Sequence, residues 1–145
     1  MRAKSADEIL GLEYDWLSSD ADGHVALFST AGGGYAPEEF LRDTDAHDAA
    51  IDAILASPAS TAVHFAPELP AGLKNTWRMI AERGIFAFDS DPHGGPYHLL
   101  AAPVAPVRVA DLPPLAAKVV GLLRFHHMRF LSLSVVSTDL LQQRG

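Results

Sequence analysis

The stretch from Tyr14 to Phe28 restricts the fold more than any other part of the chain. Two short apolar runs, Tyr14-Asp15-Trp16-Leu17 and Val25-Ala26-Leu27-Phe28, flank the polar Ser18-Ser19-Asp20-Ala21-Asp22-Gly23. Asp-Gly between strand-like runs predicts a β-hairpin, because glycine adopts the positive φ that such a turn requires. A hairpin alone is marginal in water, so later elements must cover one of its faces. The chain has 145 residues, 48% of them hydrophobic and 20% charged, which suffices for that cover and for one packed domain.

The rest of the chain supplies the cover. Residues 1–8 and 139–145 read as frayed ends of a single domain spanning 1–145, with one helical turn near Asp7 to Leu12. Gly32-Gly33-Gly34 reads as a flexible exit from the hairpin. Pro37 followed by Glu38 and Glu39 opens a short helix to about Arg42. A second helix, capped by Asp43 or Thr44, ends before Pro58 and turns Ile51, Ile54 and Leu55 inward. A strand over 60–65 stops at Pro67 and Pro70. Leu73, Trp77 and Ile80 form one face of the next helix, with Gly84 at its C-terminus. Strands follow at 85–88 and 97–102, separated by the turn formers of 89–96. Pro103 and Pro106 leave 104–109 as an edge strand or an extended connection. Leu112-Pro113-Pro114 starts a last helix with Leu115, Val119, Leu122 and Leu123 inward. The alternation of Leu131, Leu133 and Val135 predicts a half-buried strand. Trp16 and Trp77 are most simply core residues, although an exposed tryptophan would mark an interface. The expected fold is α+β: a single domain with a mostly antiparallel sheet starting with the hairpin, and three to four helices packed on it.

Composition narrows the function. The formal net charge is −7, from 18 acidic residues against 11 Lys and Arg, which argues against nucleic acid or an anionic membrane as partner. With no cysteine, disulfides, thiol catalysis and cysteine-ligated zinc are excluded. No basic segment is followed by the apolar core of a signal peptide, and no uncharged run reaches the ~18 residues of a membrane span. A cytoplasmic location is the expectation.

Several chemical motifs are present only in part. Asp20-Ala21-Asp22-Gly23 resembles the start of a calcium loop, but the twelfth position holds Ala31 where a bidentate glutamate is needed. The three glycines at 32–34 lack the Lys-Ser/Thr of a phosphate-binding loop. Asp89, Asp91 and His93, with His98 nearby, are metal-ligand types in a row, yet Pro92 and two glycines make the segment a turn. His126 and His127 point to opposite sides if extended, one packed and one solvated. No Gly-x-Ser-x-Gly nucleophile elbow occurs. No metal, cofactor or catalytic set is therefore assigned. The acids Asp43, Asp45, Asp48 and Asp52 stand apart. Three share one helical stripe and repel one another, which suits a solvated face or a site for a basic partner. Asp20 and Asp22 are added to the same candidate field.

The string from Tyr14 to Phe28, with its Gly-rich exit and Pro37 opening a helix, resembles a group of small bacterial immunity proteins of polymorphic toxin or contact-dependent effector systems. Asp15-Trp16, Asp20-Ala21-Asp22-Gly23 and Phe28 carry the resemblance, which covers roughly the first 40 residues. It implies a non-enzymatic protein-binding module that inhibits a cognate toxin stoichiometrically, and it supplies no catalytic residues. The alternative is a small hydrolase-like or metal-dependent enzyme using histidines and aspartates of 89–98 and 126–127. A third reading is a homo-oligomer paired through 104–109.

Overall fold

The computed structural model describes residues 3–65 and 74–142, so the expected stops at Pro67 and Pro70 and the inward Leu73 lie outside the described residues. The hairpin forms as its sequence demands. Strand β1 (Asp15–Ser19) pairs antiparallel with β2 (Val25–Ser29), with Trp16 opposite Phe28 and Ser19 opposite Val25. Gly23 takes φ +82° in the turn. The strands are longer than their apolar runs. Ser18 and Ser19 lie inside β1 and are buried, and the Ser19 hydroxyl donates to the Val120 carbonyl at 3.1 Å.

Strand β4 (Phe86–Asp89) lies parallel to β2, and β5 (Tyr97–Pro103) runs antiparallel to β4. The outer side of β5 is shared. Strand β3 (Val63–Phe65) pairs with its C-terminal half and β6 (Val135–Val136) with its N-terminal residues. Order across the sheet is β1-β2-β4-β5-β3, with β6 beside β5. The α+β class and the mainly antiparallel sheet are as expected, and β2–β4 is the parallel exception.

Alternation along the strands splits the core between the two faces of the sheet. On one face Trp16, Phe28 and Phe88 stack across three strands, with centroids 4.2 and 5.0 Å apart and rings 10° from parallel. Tyr97 meets them edge-on, donating from its hydroxyl to the Tyr35 carbonyl and accepting from Trp16 Nε1. Phe125, Met128, Phe130, Val136 and Leu141 close this face. On the other face Leu17, Leu27, Ala87 and Ala101 lie beneath helices α3 (Thr44–Leu55), α4 (Lys74–Ala81) and α5 (Pro114–Gly121).

Several expectations are corrected. The chain ends are ordered where described: a capping box of Ser5 and Glu8 starts α1 (Ala6–Ile9), and Lys4 N–H bonds to the Leu41 carbonyl. Near the other end α6 (Thr138–Gln142) buries Leu141. With α2 (Glu38–Arg42), the described residues form six α-helices, more than the three to four expected. The glycine exit is packed tightly. A Cβ on Gly33 would lie 2.5 Å from Gly94 N, and one on Gly34 would lie 2.6 Å from the Tyr97 hydroxyl. Of the two readings left open for 104–109, the edge strand is not found: residues 104–108 are a connection with one isolated bridge, Arg108 to His24, and a 3-10 turn follows at Val109–Asp111. In α5 the inward residues are Ala116, Val119, Val120 and Leu123, whereas Leu115 and Leu122 are 47% and 73% exposed. The alternation at 131–135 is also out of phase. Phe130 and Val136 are buried, Leu131 is 62% exposed, and Phe130–Ser132 is a 3-10 turn. Trp16 is core as expected, and Trp77 is half-buried beside the second cluster.

Candidate functional site

The acidic stripe lies on α3, whose two faces have opposite chemistry. Asp43 caps the helix, its Oδ1 accepting from Ala46 N–H at 3.1 Å. Thr44, His47, Ala50 and Ile54 turn inward, leaving Asp45, Asp48 and Asp52 exposed at helical spacing. Of the ion pairs found among the described residues, none involves Asp45, Asp48 or Asp52. The Asp48 carboxyl is pushed above the usual carboxylate range by partial desolvation and then by repulsion from Asp45 and Asp52, with Lys4 acting in the other direction. On the inner face, His47 Nδ1 accepts from the Leu17 N–H at 3.0 Å. Burial lowers this imidazole to about 4, so it is neutral near pH 7.

The stripe continues onto the sheet. Register places Asp15 opposite Ser29, Ser29 opposite Asp89 and Asp89 opposite His98, one row across β1, β2, β4 and β5. Residues opposite one another in a sheet share a face, so this row belongs to the side that carries α3. It also lies at the carboxyl ends of the parallel pair β2 and β4. Ser29 Oγ donates to Asp15 Oδ1 at 2.6 Å. Burial raises Asp15, the Ser29 bond opposes the shift, and Asp48 and Glu13 add repulsion. Asp89 is pushed up to about 6 by burial, against a backbone N–H from Ser90, with repulsion from Glu13, Asp15 and Asp91. Asp48 therefore links the helix stripe to the strand ends, and the acids from Asp52 to Asp91 form one continuous field.

Asp20 and Asp22 do not belong to it. They sit at the far end of the hairpin, about 16 Å away for five extended residues. Asp20 is fully buried. Its Oδ1 accepts from the N–H groups of Asp22 and His24, both at 2.9 Å, and its Oδ2 accepts from Phe130 N–H at 2.8 Å. A carboxylate enclosed in this way offers a partner no surface. Asp22 is ion-paired with Arg129 at 3.2 Å. Arg108 Nε donates to the Asp22 carbonyl, and Arg124 donates to the carbonyls of Asp20 and Ala21. The turn is thus ringed by guanidinium groups. Asp20, Asp22 and His24 bring ligand atoms within 4.8 Å of one another. Three backbone N–H groups and Arg129 already occupy those carboxylates, however, and a further cation would have to displace them.

Of the histidines and aspartates weighed for an enzyme, the structure brings together Asp89 and His98. His93 stays on the exposed turn, where its N–H donates to Asp91 Oδ1. His126 and His127 are both exposed, rather than one packed and one solvated, and a ring nitrogen of His127 lies 2.7 Å from the Leu140 carbonyl. Neither the cleft at Thr30–Ala36 nor the notch between α3 and α5 is lined by any of these histidines. Sequence reasoning missed Glu13 and Asp15 as members of the acidic field, because their placement depends on a strand register that only pairing reveals. Models of known protein families, curated proteins and solved structures all fail to match this chain, so its acidic field is interpreted from its own residues.

Proposed function

We propose that the chain is a non-enzymatic protein-binding module of the immunity type, which captures a basic toxin or effector domain through the acidic face of α3. The observation behind this reading is the exposed stripe Asp45-Asp48-Asp52, which makes no ion pair among the described residues and is continuous with Glu13, Asp15, Asp89 and Asp91. Like charges in excess on one face weaken a fold slightly, and a basic partner relieves that repulsion on docking. Such a field also speeds encounter with a cationic surface, and salt screens it. A toxin that acts on nucleic acid has a basic active site and suits such an inhibitor. Among the described residues no helix is long and apolar enough to cross a membrane, and the proposed site of action is the cytoplasm.

The test is affinity purification from the source cells, followed by titration of the captured partner with the wild type and with the triple variant D45N/D48N/D52N. Loss of three exposed charges is expected to weaken binding about tenfold at low ionic strength and to flatten its salt dependence. Unchanged affinity and salt slope in the triple variant would overturn the acidic-face reading.

Asp89 supports a second reading. A carboxyl titrating near neutral pH beside His98 is an arrangement suited to general acid–base chemistry in a small hydrolase. That reading requires a hydrolytic activity lost in both D89N and H98A, with a limb near the Asp89 value in its pH profile. Activity retained in either variant would eliminate it.

A further inference from the structure

The hairpin turn gathers ligand-type side chains that the binding-module reading leaves unused. Asp20, Asp22 and His24 stand at alternate positions and bring one ligand atom each within 4.8 Å of the others. Among the described residues, two buried side-chain polar atoms lack a hydrogen-bond partner, Ser18 Oγ and His24 Nδ1. His24 is 7% exposed, and its Nδ1 lies 4.0 Å from Asp20 Oδ2. That gap is too long for a hydrogen bond, and an unpaired buried ring nitrogen is costly.

We propose that Asp20, Asp22 and His24 bind a divalent transition-metal ion of the zinc class, with water completing the coordination. The inference is independent of the binding-module reading. One imidazole with two carboxylates is a zinc-type donor set, whereas calcium takes oxygen ligands. Neighbouring ligand atoms of a tetrahedral zinc centre lie about 3.4 Å apart, so the 4.8 Å span closes by about 1.4 Å at most. Asp22 supplies that movement, because its side chain is one-third exposed. Asp20 is fixed and still has capacity. A carboxylate offers about four acceptor sites. The N–H groups of Asp22 and His24 use two on Oδ1, and that of Phe130 uses one on Oδ2. The fourth is on Oδ2, the oxygen nearest His24 Nδ1. These N–H donors stay in place and orient the carboxylate, as outer partners of metal ligands do. The displacement therefore falls on Arg129, paired with Asp22 at 3.2 Å. Its side chain is 65% exposed, and exposed ion pairs contribute little. Arg108 and Arg124 bond to main-chain carbonyls of the turn and occupy none of the three ligand atoms. Their charge lowers the affinity for a cation without blocking the site.

The test uses the full chain, treated with chelator and then titrated with zinc chloride in calorimetry and in amide NMR. One equivalent is expected to bind, with saturable shifts centred on residues 20–24 and 129–130 and a rise in melting temperature. Asp22→Asn and Arg129→Gln alter partly exposed positions and retain the fold, and His24→Ala removes the ring ligand. D22N and H24A are each expected to weaken zinc binding at least about tenfold. R129Q is expected to tighten it about fivefold, because the competitor for Asp22 is gone. Zinc held instead by exposed histidines such as His126 and His127 would not respond to R129Q. If H24A fails to fold, D22N and R129Q decide. Absence of saturable binding, or binding that D22N and R129Q leave unchanged, refutes the proposal.

Discussion

A histidine buried against the edge of a sheet is a poor place for a proton. His47 uses Nδ1 to accept the N–H of Leu17 on β1, and a charged ring would lose both that acceptor and its hydration. Its folded value near 4 lies below the ordinary 6.5, so it contributes stability that is fully present above 6.5 and is lost as pH falls toward 4. Asp89 acts in the opposite sense. Its carboxyl is raised from 3.8 to about 6, so its contribution is present below 3.8 and is lost as pH rises through 6. The raised carboxyls of Asp15 and Asp48 act in the same sense as Asp89, so on acidification from pH 6.5 to 4 the three carboxyls oppose the loss that comes from His47. Urea denaturation should show His47→Ala about 1–3 kcal/mol less stable at pH 7, because a buried N–H is left unpaired, and should show a flatter acid limb. Asp89→Asn should be more stable at pH 7 by up to about 1 kcal/mol after allowance for its half-exposed, solvent-screened position. Neither role was legible in the sequence. His47 stands among aspartates, and its period with Thr44, Ala50 and Ile54 emerges only when polar residues are admitted to the inner face.

At the scale of elements, turns and caps were more legible than phase. The Asp-Gly hairpin, the Asp43 cap and the Gly84 terminus follow from local backbone chemistry, and all three appear in the structure. The inward face of α5 was right in period and wrong in phase, because Leu115, Val119 and Leu122 also fall at helical spacing. The buried face is turned by about one residue, to Ala116, Val119, Val120 and Leu123, which leaves Leu115 and Leu122 on the exposed side. At 131–135 alternation alone suggested a strand. The backbone instead follows Phe130, whose N–H goes to Asp20 and whose ring packs near those of Phe28, Phe86 and Phe88. Two glycines separate crowding from flexibility. A Cβ on Gly34 would press on the Tyr97 hydroxyl and on Ser90, whereas one on Gly121 would meet nothing within 4 Å. Gly34→Ala should therefore destabilise by about 1–3 kcal/mol. Gly121→Ala, in the last turn of α5, should stabilise by about 0.5–1 kcal/mol. Thermal unfolding of the two variants side by side checks both signs.

Across the whole molecule, charge is sorted by the length of the hairpin. Acids gather where Asp15, Ser29 and Asp89 align, and Arg108, Arg124 and Arg129 gather at the turn. Composition revealed the excess of acid, but its sorting depends on the parallel pairing of β2 with β4, which joins segments far apart in the chain. Self-repulsion along α3 should make melting temperature rise with added salt in the wild type, and the rise should shrink in the triple variant D45N/D48N/D52N. Thermal scans in increasing sodium chloride measure both. The Asp20 carboxylate carries a different consequence. Its Oδ2 is satisfied by Phe130, 110 positions further along the chain, and Phe125, Met128, Phe130, Val136 and Leu141 close the face that Trp16 and Phe28 open. On the ribosome, the first strands emerge long before the residues that complete them. A nascent chain stopped at residue 124 would hold an uncovered aromatic face and a half-satisfied carboxylate. Folding of this protein is thus expected to await the late arrival of the residues beyond 124, with the early hairpin open to chaperones until then.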